Sequence, residues 1–350
     1  MFFDVGGEIK LNTAVSCAGD LTIAGQTAPG GIVFDGGEIS FANRNNIICR
    51  YIRIRPGSDT ASTTDDALSF YRASNLIVDH CSIAFAPWNN IDGVGDSTHL
   101  VTAISVQNSI NANPTYQQFG CHAESVGGQW SWQYNIFANS HNRNPLAKVN
   151  DTFINNLEYN NSAGYTTHTS TKFKHDIVNN YFIAGPASGS NFPWYQVDKN
   201  QSIYYAGNMY DSDKNGVLGG SITTPYWYQG VGTVLTSPWS SWTTIIPTMS
   251  TALTYRYDVS ASGAFPRDEV DSLLLSQIKT LGGGTTGTGA VTAGPDSGLY
   301  KSQTSTGLSN NGYGTLTGLT APTDTDGDGM PDYWELATGP NPNIANPLTN

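Results

Sequence analysis

Five carboxylates near the end of the chain have a spacing that suits a hard cation. The residues are Asp324, Asp326, Asp328, Asp332 and Glu335. They match positions 1, 3, 5, 9 and 12 of the EF-hand loop, with glycine at position 6. Met330 can add its backbone carbonyl oxygen from position 7. Since Ca²⁺ takes six to eight oxygen ligands, the segment predicts one Ca²⁺ site that stabilises a C-terminal module.

The residues of the longer N-terminal part must be positioned by short strands, because apolar runs recur there at a regular spacing. Each run carries an asparagine or another small residue at a similar place. The equivalent positions are Cys81, Asn108, Asn135, Asn156, Asn180 and Asn208. No amphipathic helix recurs with them, so the repeat favours coils of short strands with a ladder of stacked asparagines. The spacing predicts a parallel β-helix over residues 1–215.

The rest of the chain divides into three further parts. Residues 216–281 are predicted to form loops and one helix that packs on the β-helix. That helix spans 266–279, with Pro266 in its first turn and Gly282 just beyond its end. Residues 282–322 are rich in glycine, threonine and serine and are predicted to be a linker. Residues 323–350 are predicted to form the calcium-binding tail.

Composition and charge exclude several classes of protein. Only 13% of the residues are charged and the net charge is −12, so a nucleic-acid partner is not expected. The four cysteines form no CxxC pair, and we expect Cys49 and Cys81 to be buried free thiols rather than zinc ligands. No apolar run is long enough to span a membrane. We expect the protein to be a monomer. We also expect the chain to be truncated at both ends and to have lost its signal peptide.

Six segments resemble the pectate lyase family, in particular its bacterial extracellular branch. They are LTIAGQTAPG (21–30), RYIRIRPG (50–57), DALSF (66–70), VDHCSI (78–83), HNRNP (141–145) and IVNNYF (177–182). Their order and spacing make the resemblance specific, and it covers roughly residues 2–280. It implies a right-handed parallel β-helix, secretion, and β-elimination of an acidic plant polysaccharide, pectate or pectin.

The resemblance also implies how the reaction is catalysed. Elimination requires loss of the C5 proton next to the uronate carboxylate, whose charge must be neutralised by Ca²⁺ or by basic side chains. The family places an arginine base in an R-x-P-x-x-R pattern, which Arg143, Pro145 and Lys148 match with lysine in the last position. Arg143 is therefore expected to be the base and Lys148 a clamp for a substrate carboxylate. His122 and His141 are weaker candidates for substrate binding.

The sequence departs from the family at its catalytic Ca²⁺ site. Asp66 matches one ligand, but Trp88 and Asn89 stand where relatives carry an acidic pair, and Asp92 lies out of the expected register. We therefore expect the cleft to bind Ca²⁺ weakly or not at all without substrate. Trp88 suits stacking on a sugar ring.

Several functions remain open at this point. The first hypothesis is a lyase that cleaves pectate, and a calcium-independent enzyme of the pectin lyase type, acting on methylated pectin, is an alternative. A non-catalytic β-helix that binds carbohydrate at a surface is another. A glycoside hydrolase would need two carboxylates suitably spaced across the cleft, and none is evident near Arg143.

Overall fold

The computed structural model describes residues 1–57, 63–284, 290 and 297–345, and parallel strands dominate them. The predicted right-handed parallel β-helix is confirmed. Its coils present three faces, A, B and C. Face A is a ten-stranded sheet whose last strand is antiparallel. Its strands are Gly7–Lys10, Ile32–Asp35, Ile52–Arg55, Ser82–Ala84, Ile110–Ala112, Ile136–Ala138, Leu157–Tyr159, Tyr181–Ile183, Met209–Asp211 and Ser221–Ile222.

Faces B and C belong to one thirteen-stranded sheet, because two long strands, Phe119–Gln133 and Leu146–Ile154, bend from one face into the other. Face B also has the strands Val15–Ser16, Ile39–Ser40, Leu68–Ser69 and Asn89–Val94. Face C also has Leu21–Ala24, Asn45–Arg50, Ser74–Asp79, Thr102–Gln107, Lys174–Val178, Ser202–Ala206 and Thr233–Val234. Two short pairs complete the strands of the part of the chain that the structure describes: Ala163–Tyr165 with Asn191–Trp194, and Val197–Asp198 with Trp227–Tyr228.

The core lies inside the coils, because alternate residues of each strand point inward. On face C one inward position is occupied in successive coils by buried apolar residues that stack along the axis. They are Ile23, Cys49, Val78, Val106, Trp132, Phe153 and Ile177. Cys49 and Cys81 are buried and free, as predicted. Each coil thus contributes one member to a continuous column.

The asparagine ladder is present at the turn between faces C and A. The Nδ2 of Asn135 donates to Asn156 Oδ1 at 3.1 Å, and Asn156 and Asn180 continue the ladder at 3.0 and 2.9 Å. The coil before Asn135 differs from the prediction by one residue, since Ser109 takes the ladder position and donates its backbone N–H to Asn135. Asn108 instead adopts a left-handed conformation that asparagine tolerates.

Within the described residues, three α-helices follow the coils: α1 (Thr251–Ala261), α2 (Glu269–Ile278) and α3 (Asp332–Thr338). Short 3₁₀ turns lie at Gly25–Thr27, Trp242–Thr244, Gln303–Thr306 and Asn310–Gly312. Helix α2 lies within the predicted segment 266–279, and Leu274, Leu275 and Ile278 pack on the outside of face A. Helix α1 falls in a segment predicted to be loops. Its buried positions include Thr254 and Asp258, so the sequence shows no apolar stripe there.

The segment predicted as a linker makes close contacts in its described part. Leu299 and Tyr300 are buried. The Tyr313 ring lies 6.1 Å from that of Phe85, and Leu319 donates its backbone N–H to Pro29 at 2.9 Å. These few apolar anchors hold a glycine-rich segment against the β-helix. Within the described ranges, the helices are all too short or too polar to cross a bilayer.

Candidate active site

The outer surface of face B collects polar side chains from successive coils. Asp92 is paired in register with Ser69 on one side and with His122 on the other, and Glu124 is paired with Lys148. Because the strands are parallel and aligned, residues at the same register position point to the same side of the sheet. Residues far apart in sequence therefore meet in one cleft on face B.

Asn89 connects the carboxylates at one end of this cleft. It is buried, and its backbone N–H and Nδ2 both donate to Asp66 Oδ1, at 2.9 and 3.1 Å. Its Nδ2 also donates to Asp92 Oδ1 at 3.3 Å. Its Oδ1 accepts a hydrogen bond from Arg143 Nη1 at 2.8 Å. The amide thus joins two carboxylates to one guanidinium.

His122 connects the carboxylates at the other end. Its Nδ1 lies 2.7 Å from Asp92 Oδ1 and its Nε2 lies 3.0 Å from Glu124 Oε2. Lys148 Nζ donates to the same Glu124 oxygen at 2.8 Å. Acidic and basic groups therefore alternate along the cleft, and each carboxylate of this row has a hydrogen-bond donor beside it.

The electrostatics of the cleft follow from these contacts. Burial, and then the nearby charges of Asp92 and Glu38, raise the pKa of Asp66 to about 8. The hydrogen bond from His122, reinforced by Lys148 and opposed by burial, lowers the pKa of Glu124 to about 2. Burial alone would lower the pKa of His122, but its hydrogen bonds to Asp92 and Glu124 outweigh burial and raise it.

Arg143 is placed by an unusual local backbone. It has a positive φ of 67°, and a Cβ added to Gly120 would lie 2.4 Å from its carbonyl oxygen, so only glycine fits at position 120. Its guanidinium carbon lies 3.9 Å from the centroid of the Phe119 ring and 5.7 Å from that of Trp88. Burial lowers the pKa of Arg143, although the charges of Asp92, Asp66 and Glu124 oppose that shift.

The structure brings most of the predicted site residues together. Arg143, Lys148, Trp88, His122 and Asp66 lie in or beside the cleft through the contacts described above. His141 is two residues before Arg143, and its backbone N–H donates to Gln118 at 2.8 Å. It is partly buried, next to the start of the strand Leu146–Ile154.

Sequence reasoning left the place of Asp92 in the site open and missed Glu124. In the structure Asp92 is aligned with His122 on the outer side of face B. Glu124 was not identified at all. Strict alternation along the strands Asn89–Val94 and Phe119–Gln133 puts Asp92, His122 and Glu124 on the outer side, and that was the available signal.

The tail loop brings part of the predicted Ca²⁺ set together. Carboxylate oxygens of Asp324, Asp326 and Asp328 lie within 4.8 Å of one another. Burial and then the charges of the other four carboxylates raise the pKa of Glu335. Asp332 turns toward Thr325, whose backbone N–H and hydroxyl both donate to it at 2.7 Å. Met330 donates its N–H to Asp328 at 2.9 Å.

Comparison with known proteins agrees with this architecture. No family model matches the chain. The fold defines a parallel β-helix protein, and it is similar to the structure of a pectate lyase from Acidovorax avenae subsp. citrulli, with a TM-score of 0.50 and 13% identity over 72% of this chain and 66% of that one. This likeness concerns the fold alone.

The curated relatives give the family. "Probable pectate lyase C" of Aspergillus flavus is 33% identical over 99% of this chain and 78% of the relative. The protein of the same name from Aspergillus fumigatus is 34% identical over 97% of this chain and 77% of its own length. The chain belongs to the pectate lyase family, and it is a polysaccharide lyase.

Proposed function

We propose that this lyase cleaves pectate by β-elimination in the cleft on face B, with Arg143 as the base. The observation that carries this proposal is a guanidinium fixed in a polar cleft, with its pKa lowered by burial. An ordinary arginine stays protonated and is a poor base. A desolvated one holds its proton less tightly and can take another from carbon.

The proposed reaction needs no water to attack the sugar. Arg143 in its neutral form takes the proton from C5, the electron pair of that C–H bond forms the C4–C5 double bond, and the C4–O4 bond breaks. A proton from solvent then neutralises the departing oxygen. Lys148 pairs with Glu124 in the structure. In the proposed reaction it turns to a uronate carboxylate and reduces its charge.

The cleft residues also fit a divalent cation beside the substrate. Asp66, Asp92 and Glu124 offer hard oxygen donors, and the pKa of Asp66 is raised partly because negative charges surround it. A cation at this place would relieve that repulsion, and Ca²⁺ there would neutralise the uronate carboxylate. Asn89 and His122 hold donors between these carboxylates, so we propose that Ca²⁺ binds weakly until substrate adds its own oxygens.

An assay of product absorbance tests the proposal. The C4–C5 double bond is conjugated with the carboxylate and absorbs near the ultraviolet edge. Polygalacturonate and highly methylated pectin are each incubated with the protein, in Ca²⁺ or in EDTA. We expect product from polygalacturonate. Product from methylated pectin alone, equally in EDTA, would favour the pectin lyase alternative, and no product from either would favour a non-catalytic carbohydrate-binding protein.

We further propose that the tail loop binds one structural Ca²⁺. Asp324, Asp326, Asp328, Glu335 and the carbonyl oxygen of Met330 would be the direct ligands, and Asp332 would act through water, as position 9 often does. The convergence of the first three carboxylates supports this set. Calorimetry of the whole chain with Ca²⁺ tests it, with Asp326→Asn as the variant that should lose binding.

We also propose that the protein is secreted and acts as a monomer. Its family and its acidic plant substrate support secretion, since such a substrate lies outside the cell. Size-exclusion chromatography with light scattering tests the monomer, and a mass near twice 37.5 kDa would contradict it.

A further inference from the structure

The guanidinium of Arg143 is held by two neighbours that carry no charge. The ring of Phe119 lies against one side of it, at 3.9 Å from its carbon atom, and Asn89 accepts from Nη1 at 2.8 Å. Trp88 supports the Phe119 ring in an edge-to-face contact at 5.5 Å. The ring restricts the plane of the guanidinium, and the hydrogen bond restricts its rotation within that plane.

The orientation of the Asn89 amide is itself fixed. Its Nδ2 donates to Asp92 and to the Asp66 oxygen that also accepts the backbone N–H of Asn89, so both of these oxygens act as acceptors. A flipped amide would place its oxygen against these two carboxylates and its N–H groups against the arginine, which also only donates. Oδ1 must therefore face Arg143. The acceptor that orients the guanidinium cannot rotate away without breaking three hydrogen bonds.

Phe119 and Asn89 carry no charge, and this has a chemical consequence. Asp66, Asp92 and Glu124 all act on Arg143 through their charges. Asn89 stands between Arg143 and the first two of these, so the hydrogen bond that orients the guanidinium goes to an amide. A direct pair with a carboxylate would hold the proton of Arg143 more strongly and would occupy two of its N–H groups.

We propose that Phe119 and Asn89 are positioning residues that aim Arg143 at the C5 proton of the substrate. This inference rests on the proposed role of Arg143 as the base. A guanidinium presents its nitrogen atoms only in its own plane, so a tilt or rotation moves the reacting nitrogen away from carbon. A misplacement of about 1 Å can lower the rate on the order of 10²-fold.

Kinetics on polygalacturonate test the inference. Phe119→Leu keeps an apolar side chain of similar bulk but removes the flat ring, and we expect kcat to fall about 10- to 100-fold with KM changed less than about threefold. Phe119→Tyr keeps the ring and should stay within about threefold of the parent kcat. Asn89→Ala should also lower kcat. Since both residues act through Arg143, the double variant should lose less than the product of the two single losses.

Arg143→Ala and the melting temperatures are measured alongside. Full activity of Arg143→Ala would remove the base assignment, and this inference with it. Loss of activity in Arg143→Ala with a parental kcat in Phe119→Leu would refute the positioning role alone. The role would also be refuted if Phe119→Tyr fell as far as Phe119→Leu, or if the double variant lost the full product. The positioning role is supported if Phe119→Leu loses kcat at an unchanged melting temperature and Phe119→Tyr keeps the parental kcat.

Discussion

A buried ion cluster joins helix α2 to face A, and one carboxylate supports most of it. Asp268 lies 3.3 Å from Arg53 Nε and accepts hydrogen bonds from both terminal nitrogens of Arg55. Arg55 Nη2 also donates to Asp271 at 3.0 Å. The four side chains are almost fully buried. Asp268 is also the N-cap of α2 and accepts the N–H of Asp271.

The variant Asp268→Ala should therefore be strongly destabilised. Two buried guanidinium groups would share one carboxylate, and breaking such a buried pair costs about 3–5 kcal/mol. Loss of the N-cap adds about 1 kcal/mol. The entropy of unfolding is about 2.1 cal/mol/K per residue, or roughly 0.7 kcal/mol/K for this chain, so the sum corresponds to a fall in Tm of about 5–8 °C.

Circular dichroism during heating measures this change. Ser272→Ala, at an exposed position of the same helix, is the matched control and should shift Tm by less than about 1 °C. Arg55→Met added to Asp268→Ala should recover part of the loss, because it removes one unpaired buried charge. A Tm for Asp268→Ala equal to that of the control would show that the cluster contributes no net stability.

Three further predictions concern the two candidate sites. Arg143→Ala and Arg143→Lys should lower the lyase rate about 10²- to 10⁴-fold, as measured by product absorbance, while leaving the fold intact, because position and basicity both matter. Asp66→Asn should raise Tm at pH 9 and leave it unchanged at pH 3. At pH 3 the Asp66 carboxyl is protonated in both the folded and the unfolded protein, so it does not affect stability there. As the pH rises toward 8 the carboxyl ionises more easily in the unfolded protein, whereas folding raises its pKa to about 8, so the free energy of unfolding falls over that range. An unchanged Tm at both pH values would contradict the repulsion in the cleft. Ca²⁺ should raise the Tm of the parent protein, and Asp326→Asn should abolish that gain whereas Asp332→Asn reduces it less, because Asp332 is engaged with Thr325.

The repeat was predictable because a solenoid repeats its physical requirements in every coil. Buried asparagines such as Asn156 and Asn180 must satisfy the same turn in successive coils, so the sequence shows them at regular intervals. Arg143 and Lys148 were found through a resemblance in a short local pattern. In contrast, Glu124 belongs to the site only because its coil is aligned with that of Lys148, and no local pattern records this alignment.

The outer layers were less predictable for a different reason. Helix α1 buries Thr254 and Asp258 against the coils, so the usual apolar stripe is absent. Residues 299–319 pack on the β-helix through a few buried side chains, such as Tyr300 and Tyr313. The average composition of this segment does not reveal these few apolar contacts. In both cases the partner surface determines the structure, and a single sequence does not display that surface.

The Arg55–Asp268 contact also constrains the order in which the chain can fold during synthesis. Its partners are 213 residues apart. Coils of a solenoid can form one after another as the chain leaves the ribosome, since each coil contacts mainly its neighbours. The cleft needs only the coils up to Lys148, so its residues can assemble early. The buried guanidinium of Arg55 must wait for helix α2, so the first coils reach full stability only after synthesis has passed residue 271.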